Sequence, residues 1–326
     1  MTIAMLRPVV ALWATVLVAV APASGQEAYP SRTIKVIAPF PAGAPVDSVA
    51  RLIADRLERA WGQPVVVENR GGGGGIVGTN AVAKSSPDGY TLLLTSTSPI
   101  AAAPALNKTV PYDAVKDFAP IWAINASGLV VVVNPGLPIK TLGDLVRAAR
   151  EQPGKLSFAS SGHGTTQHLA GELFMARTGA KLVHVPYRGG FAGTTDLMAG
   201  HVQVMFDSLG NTLNSIRSEK LRALAVLREK RSPQLPSLPT AAEAGVVGAE
   251  LNGWLGLFAP AGTPSAILDK LTATLVSGMR EPAIMARLIE LGNEDDVMTG
   301  DVVMRRLAED KALFAEIVEK AGIVPQ

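Results

Sequence analysis

The chain has 326 residues, 30 Lys+Arg against 28 Asp+Glu and a formal net charge of +2, so it carries no basic footprint for nucleic acid. It contains no cysteine, which removes disulfide frameworks, thiol catalysis and cysteine-ligated metal centres. With 48% hydrophobic residues, 5% aromatic ones, 32 Gly and 23 Pro, it fits an α/β chain of two domains with many tight strand-to-helix turns.

The first 25 residues read as a secretory signal peptide. Arg7 is the only charge, an apolar run from Val9 to Val20 follows, and small residues from Ala21 to Gly25 offer cleavage sites. The apolar run falls short of the roughly 20 residues a membrane-spanning helix needs. The expected mature protein is exported and soluble.

From Arg32 onward, short β-branched runs alternate with helical periodicity. Thr33–Ala38 reads as a strand; a helix follows with Val49, Ile53 and Leu57 on one face, stopped by Gly62. Val65–Val67 is a strand, then come a Gly-rich turn, a short helix to Lys84 and the strand Thr91–Leu94. Val130–Val133 is the next strand, and Thr141 can cap a helix running to Glu151. Leu156–Ala159 is a strand, and Gln167–Thr178 a helix burying Leu169, Leu173 and Ala176. Leu182–Val185, Val202–Phe206 and Leu221–Val226 are further strands, whereas Arg231–Pro239 holds three prolines and is irregular. A run from Trp254 to Ala259, a helix from Pro264 to Arg280 and a helix from Asp301 to Ala321 complete the chain. The last helix shows Val303, Leu307, Phe314, Ile317 and Ala321 on one face.

Such alternation implies parallel strands with crossover helices. Two successive units, followed by elements that return to the first, give two α/β lobes. The expected limits are 26–125 with 251–326 for the first lobe and 126–250 for the second. The crossings fall near Ala123–Leu129 and Leu227–Leu251. A ligand would then sit at the carboxyl ends of the strands, between the lobes.

Enzyme motifs are mostly absent. No Gly-x-Ser-x-Gly, Gly-Lys-[Ser/Thr] or His-Glu-x-x-His occurs. His163 and His168 lie five apart, a spacing that does not stack two ligands on one helix face, so no metal site is expected. Gly73–Gly78 fits Gly-x-Gly-x-x-Gly, but no acid stands about 20 residues on to hold a ribose, and no cofactor is expected.

Three loops suit an anion better. Pro39–Asp47 joins the first strand to the first helix, where small residues and prolines let backbone N–H groups face a cleft. Asp47 in it can cap the helix or face the ligand. Ser160–His168 offers four hydroxyls, two imidazoles and a helix start in one turn. In Tyr187–Gly190, Arg188 can pair a carboxylate bidentately or stand as a solvated charge. Asp207 ends a strand on the same edge. Ser161, His168 and Asp207 also have the types of a hydrolytic triad, without an elbow or oxyanion turn to support it.

At these loops the sequence closely resembles the Bug family, the extracytoplasmic receptors of tripartite tricarboxylate transporters. Matching stretches include Pro39–Gly43, Gln63–Arg70, Pro87–Leu93, Lys116–Pro120, His168–Glu172, His184–Tyr187, Lys220–Val226, Pro239–Gly245 and Ala259–Pro264. The resemblance implies a monomeric periplasmic receptor of venus-flytrap, type II-like architecture, with two crossovers, that is not an enzyme. It would close on a small carboxylate (a di- or tricarboxylate, an amino-acid-like or an aromatic acid) and deliver it to integral-membrane transporter subunits. By the same resemblance, backbone amides at Ala42, Gly43 and Ala44 and hydroxyls of Ser160, Ser161, Thr165 and Thr166 hold the ligand. Phe40, Asp47, His163, Tyr187, Arg188 and Asp207 join them as cleft-lining candidates. Ala44 stands where a second glycine is common, and His163 where Asn is common, so both bear on which ligand fits. A hydrolase acting from the same cleft and a ligand-presenting partner of a membrane sensor are the alternatives.

Overall fold

Strand β1 (Ile34–Ala38) is buried on both faces, as a strand flanked by helices on each side must be. In the computed structural model, which describes residues 29–126, 128–320 and 322–325, Ile34, Val36 and Ala38 face one helical layer and Ile37 the other. The expected signal peptide and Ala321 lie outside the described residues.

Helix α1 (Pro45–Trp61) follows because Pro at its first position presets φ and Val49, Ile53 and Leu57 form a buried stripe; Gly62 ends it in the left-handed conformation. Then come β2 (Val65–Asn69), α2 (Ile76–Ala83), β3 (Thr91–Ser96), α3 (Ala103–Leu106) and β4 (Phe118–Ala126). The chain crosses into β5 (Leu129–Val133), α4 (Leu142–Glu151), β6 (Ser157–Ser160), α5 (Thr166–Thr178) and β7 (Val183–Pro186). It continues through α6 (Gly190–Ala199), β8 (Val204–Ser208), α7 (Leu209–Arg217) and β9 (Arg222–Val226). It then returns as β10 (Trp254–Pro260), α8 (Ser265–Gly278), α9 (Pro282–Glu290), β11 (Asn293–Met298) and α10 (Gly300–Lys320).

The strands form a six-stranded sheet, β11-β4-β10-β3-β1-β2, and a five-stranded sheet, β7-β6-β8-β5-β9. The first takes strands from residues 34–126 and 254–298, the second from residues 129–226. The sheets are mixed, not parallel throughout. The pairs β1–β2, β1–β3, β6–β7 and β6–β8 are parallel, but β5 and β10 run antiparallel to both neighbours. These two are the strands that enter each sheet from the other lobe, so their direction is set by the crossings and not by a crossover helix.

Helices α1, α8 and α9 cover one face of the first sheet. Val130 and Val132 of β5 face α6 and α7, while Leu129, Val131 and Val133 face α4 and α5. Leu169 and Leu173 of α5 are buried as expected; Ala176 is exposed, and Phe174 takes the core position. The lobes meet backbone to backbone where the first turn of α7 abuts the turn between α9 and β11. A Cβ on Gly210 would stand 2.2 Å from the Leu291 carbonyl oxygen, and one on Gly292 2.5 Å from Gly210 Cα. No described helix is long and apolar enough to cross a membrane.

Candidate functional site

The cavity between the sheets lies at the carboxyl ends of β1, β3, β6 and β8. It holds about 890 Å³ of empty space, including its open mouth. The N-terminal turns of four helices reach it: Ala44–Val46 of α1, Thr166 and Gln167 of α5, Gly189–Phe191 of α6, and Ser208 and Gly210 of α7. First-turn N–H groups have no partner inside their own helix, so each end carries positive potential. Among the described residues, no Lys, Arg or His lines the cavity.

The first-lobe loop follows β1. Its order comes from Asp47, buried at the start of α1, which accepts hydrogen bonds from the Gly43 N–H (2.8 Å), Arg51 Nε (3.0 Å) and Asn69 Nδ2 (2.9 Å). Burial alone raises the Asp47 pKa; these bonds outweigh it and hold the carboxyl below its ordinary value. Asp47 is therefore a latch within the loop. The Ala44 N–H donates to the Pro41 carbonyl oxygen (3.2 Å), so the Gly43 and Ala44 amides are both engaged inside the loop. Phe40, Pro41 and Ala44 line the cavity, while Ala42 and Gly43 do not.

In the second-lobe loop, hydroxyls divide by position. Ser160 is fully buried and bonds His184 Nε2 (2.7 Å). Thr165 donates to the Gly162 carbonyl oxygen (2.7 Å) and accepts the His168 N–H (3.3 Å), capping α5. Ser161 and Thr166 line the cavity. Thr166 is tied across the seam: Ser98, from the first lobe, lies 2.9 Å from its hydroxyl and 3.0 Å from its N–H. The Ser161 hydroxyl makes no hydrogen bond within the described residues and is open to the cavity.

Asp207 ends β8 against the cavity. It is buried and accepts from the Ser208 N–H (2.8 Å), Gln167 Nε2 (3.4 Å) and Asn211 Nδ2. Burial pushes its pKa up to about 6, with these three bonds pulling the other way. Tyr187 turns to Asp196 (2.8 Å), and Arg188 is exposed; neither lines the cavity. Of the expected residues, then, Phe40, Ala44, Ser161, Thr166 and Asp207 line the space, and Ala42, Gly43, Asp47, Ser160, His163, Thr165, Tyr187 and Arg188 stand outside it. Sequence reasoning missed Ser96, Ser98, Gln167, Phe191, Asn211 and Asn252, which also line it. Ser96 ends β3 and Ser98 follows it, the one signal that could have drawn attention to them.

The Gly-rich turn has a structural role across the seam. Gly74 has φ +64°, and a Cβ there would lie 2.6 Å from the His163 carbonyl oxygen, so the turn fits against the second-lobe loop only because side chains are lacking. Beside it, His163, His168 and β7's His184 cluster, each with one ring nitrogen within 4.8 Å of the others. His168 stacks on His184 (centroids 4.1 Å, planes 10° apart), and His184 stacks on Phe158 (4.8 Å). His163 stands edge-on to both, its ring 5.4 Å from His168 and 4.9 Å from His184 with planes 88° and 86° apart. Burial first, then the neighbouring His168, lowers the pKa of His163; burial with both other histidines pushes His184 down to about 3. Ser161, His168 and Asp207 do not act together. Among the described residues no hydrogen bond joins them, and His168 faces Gly164 through Nδ1 and Glu172 through Nε2.

Comparison with known proteins places this geometry. The model of the tripartite tricarboxylate transporter family receptor matches residues 49–323. The chain is 42% identical over 267 residues to the UPF0065 protein in the tcbD-tcbE intergenic region of Pseudomonas sp. strain P51, covering 82% of this chain and 79% of that one. It is 36% identical to Protein BugT of Bordetella pertussis, with 91% of each chain covered. The structure of R. palustris Rpa4515 with adipate matches with a TM-score of 0.87 at 34% identity, covering 91% of this chain and 100% of that one. MatC from Rhodopseudomonas palustris with bound malate matches with a TM-score of 0.82 at 29% identity, covering 89% and 100%. The chain belongs to the Bug-type receptors of the tripartite tricarboxylate transporter family.

Proposed function

We propose that the protein is a periplasmic receptor that closes its two lobes on a small carboxylate and delivers it, as a monomer, to integral-membrane transporter subunits. The observation that carries this reading is the convergence of four helix N-termini on one cavity that, among the described residues, no cationic side chain lines. Such a site meets an anion with backbone dipoles and with hydroxyls such as Ser161 and Thr166. Charge-assisted hydrogen bonds of about 1.5–3 kcal/mol each make a dedicated ion pair unnecessary. The adipate and malate bound to two relatives agree with a carboxylate.

The seam supports closure around the ligand. Ser98 with Thr166, and Gly74 with the His163 backbone, join opposite lobes at the edge of the cavity. Export through a cleaved leader at residues 1–25 belongs to the same reading. So do lobe limits of 26–125 with 251–326 and of 126–250, which sheet membership supports.

The test uses mature protein, unfolded and refolded to strip any carried ligand, and heated with a panel of carboxylates. A ligand at 100-fold its Kd adds about 2.7 kcal/mol, which raises Tm by roughly 4 °C in a chain of about 300 residues. An unchanged Tm across di-, tri- and aromatic carboxylates would remove the carboxylate reading.

A further inference from the structure

Three imidazoles meet outside the ligand cavity. His163 comes from the loop ahead of α5, His168 from the first turn of that helix and His184 from β7. One ring nitrogen of each lies within 4.8 Å of the other two. The five-residue spacing of His163 and His168 counts against two ligands on one helix face. Helix α5 begins only at Thr166, however, so His163 lies off the helix and the spacing sets no limit. None of the three lines the cavity, which takes Ser161 and Thr166 from the same stretch of chain.

Packing accounts for two of them, because His168 stacks on His184 and His184 on Phe158. It does not account for His163. That side chain is exposed, its ring stands edge-on to the other two, and neither ring nitrogen makes a hydrogen bond within the described residues. The packed pair is also held from behind, as ligating imidazoles are, at the nitrogen turned away from the ion. His184 Nε2 bonds Ser160 Oγ (2.7 Å), whose own proton goes to the Gly162 carbonyl oxygen (3.2 Å). This network assigns the ring proton to Nε2 and leaves the Nδ1 lone pair free. His168 Nε2 stands 3.6 Å from Glu172 Oε1, and its Nδ1 meets the Gly164 N–H at 3.4 Å, a long contact that an ion can replace. Two parallel rings 4.1 Å apart cannot both aim an in-plane lone pair at one ion, so one ring tilts about its soft Cβ–Cγ torsion as the ion enters.

We infer that His163, His168 and His184 form a binding site for one divalent transition-metal ion of the zinc, nickel or copper kind, separate from the carboxylate cavity. Imidazole nitrogen suits these ions, whereas calcium and magnesium take oxygen ligands. Three protein ligands leave a fourth position for water. The ion ties the loop to β7 and α5, and so fixes the segment that presents Ser161 and Thr166 to the cavity.

The test uses mature protein without a histidine tag, treated with EDTA, freed of the chelator and titrated with zinc at neutral pH. Calorimetry is expected to show one zinc ion bound per chain and no binding of calcium or magnesium. His163→Ala is expected to lower zinc affinity at least about tenfold while leaving the Tm of the metal-free protein unchanged, because the ring is exposed and makes no hydrogen bond. His201→Ala, which removes the fourth histidine of the chain, should leave zinc affinity unchanged. A second readout spares the packed His168 and His184 from substitution. In NMR spectra of protein carrying isotope-labelled histidine, zinc is expected to shift the ring nitrogens of His163, His168 and His184 but not those of His201. No saturable zinc uptake, uptake that His163→Ala leaves unchanged, or uptake lost in His201→Ala would overturn the inference.

Discussion

A carboxyl group at the end of β8, buried and without a cationic partner among the described residues, makes the cavity sensitive to pH. Asp207 is pushed up to about 6, so it passes from largely neutral to largely charged between about pH 5 and 7. An anion bound nearby favours the neutral form, and two unit charges ~6 Å apart at an effective permittivity of 20 repel by ~3 kcal/mol. Carboxylate affinity is therefore expected to fall at least about tenfold from pH 5 to pH 8, with proton uptake on binding. Titrations in buffers of different ionisation heat check this. Asp207→Asn should flatten the profile; a flat profile in the unaltered protein would exclude the role. For the ligand-free protein the sign is the same: the native state holds this proton more tightly than the unfolded chain does. Its contribution to stability is thus lost as pH rises from about 4 to 6.

Residue by residue, the site was partly legible. The hydroxyls of Ser161 and Thr166 stood out because loops dense in donors at a helix start are rare without a partner to meet. What the chain order could not show is which polar groups satisfy each other. Asp47 takes the Gly43 amide, and Ser160 takes His184 from a strand 24 residues away. Phe191 carried no signal at all, because one aromatic residue in a helix's first turn looks like surface until the opposite lobe is placed.

Among the elements, those with strong local signatures were readable. The α1 stripe ended by Gly62 and the Thr141 cap of α4 both lie where the sequence points; Thr141 and Asp144 form a reciprocal capping box. Strand β4 was missed because Pro120 argues against a central strand. The structure accommodates it at a register shift: Trp122 pairs with Leu257 and Pro120 with Phe258, leaving Ile121 as the extra residue. Strand β11 was missed because Asn293–Met298 is mostly polar, as suits a sheet edge. The helical tract 264–280 contains only α8, since Pro282 starts a separate helix.

The joint between α7 and the α9–β11 turn makes a prediction at this scale. Gly210→Ala places a methyl group 2.2 Å from the Leu291 carbonyl oxygen, where only backbone can move aside. The lobes should seat less closely, with affinity for any ligand reduced about tenfold or more and a larger radius of gyration in the liganded state, measurable by titration and solution scattering. Retention of full affinity would show that the joint yields without cost.

At the scale of the whole molecule, the two lobes are built unequally along the chain. The five-stranded sheet is drawn from one continuous stretch, residues 129–226. The six-stranded sheet has β10 between β3 and β4, so residues 34–126 leave a gap at its centre until residues 254–260 arrive. Until then, β3 and β4 present unpaired backbone edges and the apolar residues Leu92, Leu93, Leu94, Ile121 and Trp122. Contacts distant in sequence form slowly, because the loop must be closed before they contribute. Pulse-labelling hydrogen exchange during refolding is expected to protect β5, β6 and β8 before β3, β4 and β10; simultaneous protection would show that the lobes fold as one unit. An order of assembly follows from where the return strand sits: a chain that lacks residues 254–298 can complete its second lobe but leaves the first an open edge, prone to pair with another copy.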